Sequence, residues 1–178
     1  MQIRIYMKTK MTLLLSGLLA LCILVSCERQ EQATELATVP LKIRLTDQPA
    51  VFDSAVINLK AIQVKVNSGE WTDLATMDTL VNLLDLQNGI TIDIAQGSVP
   101  NGTLDAVRFL LGPGNYLVEN GERRIWKTPG IEDPGFAVNV GQDLNATINS
   151  FTFDFKVNES ITTDAGYYVM KPVIQLMP

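Results

Sequence analysis

The chain has 178 residues, 14 basic against 19 acidic side chains for a net charge of −5, no histidine and only two cysteines. Both cysteines, Cys22 and Cys27, lie near the N-terminus. A domain that follows them has no imidazole and no thiol, which excludes Cys/His metal sites and Ser-His-Asp or Cys-His machinery. The acidic balance disfavours nucleic acid as a partner. Any catalysis would rest on carboxylates, Lys, Tyr or Ser, so a non-enzymatic protein without a cofactor is expected.

The first element is a targeting segment. Arg4, Lys8 and Lys10 precede an apolar run from Met11 to Val25, which is too short for the roughly 20 residues of a membrane span. The run closes in Leu24-Val25-Ser26-Cys27, which resembles a bacterial lipobox. The resemblance implies cleavage between Ser26 and Cys27 and lipidation of the Cys27 sulfur. Leu21 before Cys22 is too bulky for the same role. Residues 1–26 are thus expected to be a signal peptide. Loss of its three basic residues takes the net charge from −5 to −8. Residues 27–38 are polar and read as a lipidated tether, because so short a stretch without an apolar stripe makes a marginal helix in water. The expected location is the cell envelope, with the protein held to a bacterial membrane, expected to be the outer one, by the acyl chains on Cys27.

Residues 39–178 carry β signals almost throughout. Leu41, Ile43 and Leu45 alternate with Lys42 and Arg44, a half-buried strand ended by Thr46-Asp47-Gln48-Pro49. A long strand spans Val56 to Val66, but its phase slips: Ile57 and Leu59 share one face, while Ile62, Val64 and Val66 take the other parity. Such a slip marks a bulge or a strand that passes between two sheets. Asn67-Ser68-Gly69 turns into a short strand at 71–74. The apolar segment 80–86 ends at Asn88-Gly89, a strong turn dipeptide. Pro100-Asn101-Gly102 punctuates before a strand at 105–111. Asn120-Gly121 predicts a hairpin between 116–118 and 123–126. Phe151, Phe153, Phe155 and Val157 line one face of a strand whose other face, Thr152, Asp154 and Lys156, is expected to be solvated. The last strand spans 167–177, with Pro172 favouring an edge. Short strands and regular turns predict an all-β fold, an antiparallel β-sandwich.

A set of landmarks in fixed order resembles one family. They are Leu45-Thr46-Asp47-Gln48-Pro49-Ala50, Val56 to Val64, Gly69-Glu70-Trp71, Val81 to Gly89, Val99 to Thr103, Val107 to Gly112 and Met170 to Leu176. This is similar to the prokaryotic lipoprotein family known as domain of unknown function 4382, over about residues 40–177. The resemblance implies a transthyretin-like or carboxypeptidase-regulatory-like sandwich and supplies no catalytic residue. At Gly102-Thr103-Leu104 the chain departs from the family's common Gly-x-Tyr.

Several side chains are candidate contacts. Trp126 alternates with Ile125, so with Ile125 inward, Trp126 and Arg124 would face solvent and meet a ligand. Trp71, Tyr116, Tyr167 and Tyr168 could add an aromatic platform for a sugar, although large aromatics more often fill cores. Ser54 and Thr79 lie in Asp-Ser-Ala and Asp-Thr-Leu, which resemble an O-glycosylation pattern of one Gram-negative phylum. Asp47, Asp53, Asp154 and Glu159 would bind Ca²⁺ only if they met in space. The favoured expectation is that they cap turns or face water, and that no metal is held. The function expected is a lipid-anchored binding module for a glycan or an envelope protein. The alternatives are a fimbria-like assembly subunit acting through edge-strand addition, and a carboxylate-only glycosidase.

Overall fold

The computed structural model describes residues 37–129, 135–145, 147 and 149–178. The signal segment, Ser26, Cys27 and the tether up to residue 36 lie outside the described residues.

The fold is all-β. Thirteen strands are described: β1 (Thr38–Thr46), β2 (Ser54–Val66), β3 (Trp71–Thr76), β4 (Thr79–Asn82), β5 (Ile92–Pro100), β6 (Thr103–Leu111), β7 (Tyr116–Glu119), β8 (Glu122–Ile125), β9 (Phe136–Asp143), β10 (Asn149–Phe155), β11 (Ile161–Asp164), β12 (Tyr167–Met170) and β13 (Ile174–Leu176). A 3-10 turn (Leu83–Leu86) and one helical turn, α1 (Val157–Ser160), interrupt them. Among the described residues no helix is long and apolar enough to cross a membrane.

Eleven strands form one continuous curled sheet rather than two separate ones: eight run in the order β13-β10-β1-β5-β3-β2-β6-β9, while β4 and β7 pair with β2, and β8 with β7, off this path. The remaining pair, β11 and β12, is a hairpin tied to the rest at a bridge between Lys127 and Val169. The sheet is not wholly antiparallel as expected. Within it β1 and β10 run parallel, from Leu41 opposite Asn149 to Thr46 opposite Asp154. Parallel neighbours need a long crossover, and here everything from β2 to β9 lies between them.

β2 organises the curl, and its phase slip is a bulge. Leu59 faces Leu111 of β6 but Ala61 faces Leu110, so Lys60 is an extra residue on β2. Before the bulge β2 pairs with β4 and β7, after it with β3, and β6 runs alongside from Leu59 across the bulge to Val66. Ile57 and Leu59 are buried ahead of the bulge, and Ile62 and Val64 beyond it, so the slip keeps the inner face apolar along thirteen residues. The turns carry the backbone their residues favour: Asn67, Asn88 and Asn120 have φ of 53°, 58° and 51°, a region Asn tolerates better than most side chains.

The core fills the concave side. Leu41, Ile43 and Leu45 of β1 meet Ile57, Leu59 and Ile62 of β2, Val107, Phe109 and Leu111 of β6, and Phe153 and Phe155 of β10. The rings of Phe109 and Phe153 stand edge to face with centroids 5.4 Å apart. On β10 the expected faces need one correction. Thr152 and Lys156 are partly exposed, but Asp154 is buried, at 2% exposure. The turn after β1 folds across it, a contact 106 residues apart in sequence. Val157 belongs to α1 rather than to the strand.

Candidate functional site

A groove of about 730 Å³ runs along the outer side of β1, β10 and β13. Its wall is built by strand register. Thr46 of β1, Asp154 of β10 and Gln175 of β13 are neighbours across three strands, and Arg44 lies beside Thr152 in the same way. Side chains of one register row share a face, so Thr46, Thr152 and Gln175 point to the same side and line the groove. Ser150, Gln142 of β9 and Thr91 add further polar groups, while Phe151, Leu176, Met177 and Pro178 are its apolar members. Thr46 is held from behind, its hydroxyl donating to the carbonyls of Leu86 at 3.0 Å and Ile90 at 2.8 Å. That pins the 87–91 turn to the end of β1 and places Gly89 and Thr91 on the rim.

No charged side chain lines this groove. The nearest charges are already paired. A bulge at Ile94 shifts β5 against β1, so that Ile43 faces Ala95 but Arg44 faces Asp93. Asp93 accepts from Lys42 at 2.7 Å and lies 3.2 Å from Arg44 Nε. The Lys42 hydrogen bond, with the two cations' charge, holds the Asp93 carboxyl below the usual range. Arg44 also donates to Thr91, which steadies the rim.

Two buried carboxyls lie near the same end of β1 and β10. Asp47 and Asp154 are 3% and 2% exposed. Asp47 Oδ1 accepts the N–H of Val157 at 3.2 Å, capping the first residue of α1 from a distant strand. Asp154 Oδ2 accepts from Gln48 Nε2 at 2.6 Å. The other oxygens, Asp47 Oδ2 and Asp154 Oδ1, are buried without a hydrogen-bond partner. Burial, with the charge of Asp154 added to it, pushes the Asp47 carboxyl up to about 7 against the pull of the Val157 and Gln48 amides. Asp154 is raised as well, chiefly by burial.

The other acids expected near them are elsewhere. Asp53 is exposed and accepts from Gly121 N at 2.9 Å. Glu159 is exposed and lies 3.6 Å from Lys156. Among the described residues no group of three or more His, Cys, Asp or Glu side chains could hold a metal ion.

The aromatic expectations change most. Trp126 is buried at 3% and Ile125 is 73% exposed, the reverse of the expected facing. β8 lies at an edge, where parity alone does not choose the inner side. Lys127 beyond it bridges to β12 and turns the indole inward. Arg124 is exposed and pairs with Glu122. Half-buried Trp71 and Tyr116 and exposed Tyr167 each lie under a cation: Arg108 over Trp71 at 3.8 Å, Arg123 over Tyr116 at 3.7 Å and Lys127 over Tyr167 at 4.1 Å. Tyr168 donates to Glu119 at 2.6 Å, a bond that raises the phenol's pKa. None of these rings lines the groove. Ser54 on β2 and Thr79 on β4 are both half-buried.

Sequence reasoning did not find the groove, because Gln142, Ser150, Thr152 and Gln175 form no local pattern and meet only through strand pairing. The landmark stretches mostly hold the fold. Asn82 Oδ1 accepts from Ala55 N at 3.1 Å and Leu84 N at 3.4 Å. Asn58 Nδ2 donates to Pro113 O at 2.9 Å. Thr46, Gly89, Gln175 and Leu176 are the landmark residues that also line the groove. No curated protein and no solved structure matches the chain. The family described as a domain of unknown function, DUF4382, matches residues 38–172, the whole sheet as far as the turn before β13. The chain belongs to the DUF4382 family.

Proposed function

We propose that this protein is a lipid-anchored, non-enzymatic module of the bacterial cell envelope, whose groove holds an uncharged glycan. The observation that carries the reading is the lining. Six hydroxyl or amide side chains, Thr46, Thr91, Gln142, Ser150, Thr152 and Gln175, surround the groove with no charged side chain among them. Hydroxyl and amide groups both donate and accept, as sugar hydroxyls do. A charged ligand would meet no side-chain counter-charge among these residues. A volume of about 730 Å³ falls in the range of ordinary ligand clefts. Anchoring rests on Leu24-Val25-Ser26-Cys27 and the polar tether after it.

Other readings have less support. For a glycosidase, the Asp47–Asp154 pair is badly placed, because both side chains are buried and their free oxygens are closed to solvent. Assembly by strand addition at the end of the chain would have only the three-residue edge of β13 to build on.

The test is binding of neutral oligosaccharides, as an array followed by calorimetry, to the mature chain carrying Cys27→Ser. Thr152→Ala with Gln175→Ala is expected to weaken the bound sugar at least tenfold, and Arg124→Ala to leave it unchanged. If the chain takes only acidic or basic sugars, or binds neutral ones equally well after both groove substitutions, the reading is wrong.

A further inference from the structure

The groove has a main-chain wall as well as a side-chain one. Lys156 N donates to Val173 O at 3.0 Å and Met177 N to Thr152 O at 2.9 Å, one bond at each end of the β10–β13 ladder. Bonded pairs alternate along an antiparallel ladder. Thr152, Asp154 and Lys156 therefore turn their backbone groups toward β13, and the residues between them turn theirs toward β1. Ser150, two residues before Thr152, keeps the same sense. Its N–H and C=O point past the end of β13, where no described strand pairs with them. Ser150 is exposed and lines the groove. Phe151 and Thr152 line it too, although successive side chains of a strand point to opposite faces. The groove thus laps over the open edge of β10.

We propose that this edge selects the sugar: the groove takes a neutral glycan carrying an N-acetylated amino sugar, whose acetamido carbonyl accepts from Ser150 N–H. This deepens the glycan reading and rests on it.

The acetamido group meets each demand of the site. It is uncharged, as a groove without charged side chains requires. In a planar trans amide the N–H and C=O point in opposite directions. With the carbonyl on Ser150 N–H, the acetamido N–H is aimed away from β10, and the exposed Gln142 side chain of β9 offers an amide oxygen to accept it. Ser150 C=O then remains for a neighbouring sugar hydroxyl to donate to. The methyl group has Phe151, Leu176 and Met177 to rest on. A plain hydroxyl in the same ring position supplies neither the amide's reach nor the methyl. A protonated amino group there meets no side-chain counter-charge.

A peptide strand fits this edge less well. Strand addition draws on a run of main-chain bonds, whereas the Thr152 carbonyl is already taken by Met177 and Ser150 alone presents an open N–H and C=O pair among the described residues of the groove.

The experiment is calorimetry on the mature chain with Cys27→Ser, using paired oligosaccharides built on glucose, galactose and mannose that differ only in bearing an acetamido or a hydroxyl group. In at least one pair the acetamido member is expected to bind about tenfold tighter, the worth of one or two added hydrogen bonds. Ser150→Pro removes the N–H at an open edge, where Pro is tolerated, and is expected to abolish that preference. Ser150→Ala, which keeps the N–H, is expected to retain the preference whatever it does to both affinities. If Ser150→Pro does not fold, Gln142→Ala is expected to narrow the preference instead. Neutral sugars bound without any acetamido preference, or a preference that survives Ser150→Pro, overturn this inference and leave the glycan reading standing. If no neutral sugar binds, the glycan reading falls and takes this inference with it. Displacement of the bound sugar by an uncharged extended peptide of equal or higher affinity would show a strand-addition slot and overturn the inference as well.

Discussion

Phe153→Ala tests the architecture at its centre. Phe153 has no exposure, lies between Leu45 of β1 and Leu176 of β13 in register, and meets the Phe109 ring edge to face at 5.4 Å. Truncating a buried Phe costs about 3–5 kcal/mol through lost transfer energy and the cavity left behind. Edge-to-face contact adds about 0.5–1.5 kcal/mol beyond area. The expected loss is therefore about 4 kcal/mol, a large part of a domain's total stability. A double-mutant cycle with Phe109→Leu should show about 1 kcal/mol of coupling. Urea unfolding at fixed pH supplies both values, provided the slope with urea stays constant. Thr152→Ala, one residue away on the groove side, should cost under about 0.5 kcal/mol. A loss below about 2 kcal/mol for Phe153→Ala, or strict additivity with Phe109, would mean that β10 does not face β6 across the core.

Two further outcomes check separate parts of the chain. Gly102 has φ of 141°, and a Cβ there would run into the Asn67 side chain that accepts from Thr103 N and donates to Asn101 O, each at 2.9 Å. Gly102→Ala should therefore cost about 2–3 kcal/mol in thermal unfolding, whereas Gly89→Ala, with φ of 82° and open space around it, should cost only about 1 kcal/mol. At the other end of the chain, Cys27→Ala should move the protein from carbonate-washed membranes to the soluble fraction, as judged by immunoblotting, and a variant that still pellets would refute lipid anchoring through that residue.

Local pattern made much of the sheet legible. The parity change between Leu59 and Ile62 announces the Lys60 bulge, since a strand with one buried face can change parity only by adding a residue. The Asn-Gly pair at 120–121 places the β7–β8 hairpin because it suits positive φ at both positions. Residues 92–100 and 136–143 stay unassigned in the sequence reading, although Phe136, Val138 and Val140 alternate along β9. Gly97 and Gly141 interrupt these two runs and weaken their signal. The parallel pairing of β1 with β10 is a global feature that no local period encodes. Asp154 shows the same limit, because its alternation places it outward and only the Gln48 turn, far away in sequence, covers it. The Trp126 expectation fails for a related reason, since an edge strand leaves two parities open until tertiary contacts select one.

β1 has a mechanical consequence. If the chain is anchored as proposed, tension from the N-terminal side would enter the sheet at Thr38, the first residue of a strand bonded on both sides, to β5 from Thr38 to Leu45 and to β10 from Leu41 to Thr46. A pull along that strand loads the two ladders in shear, so many hydrogen bonds bear the load together instead of opening one after another. A load taken up by Ser150 and Thr152 on β10 passes to β1 through the adjoining ladder alone. On the proposed function, force between an anchor and a ligand in the groove would travel through two neighbouring strands and bypass the β7–β8 and β11–β12 hairpins, which would be free to vary without weakening the grip.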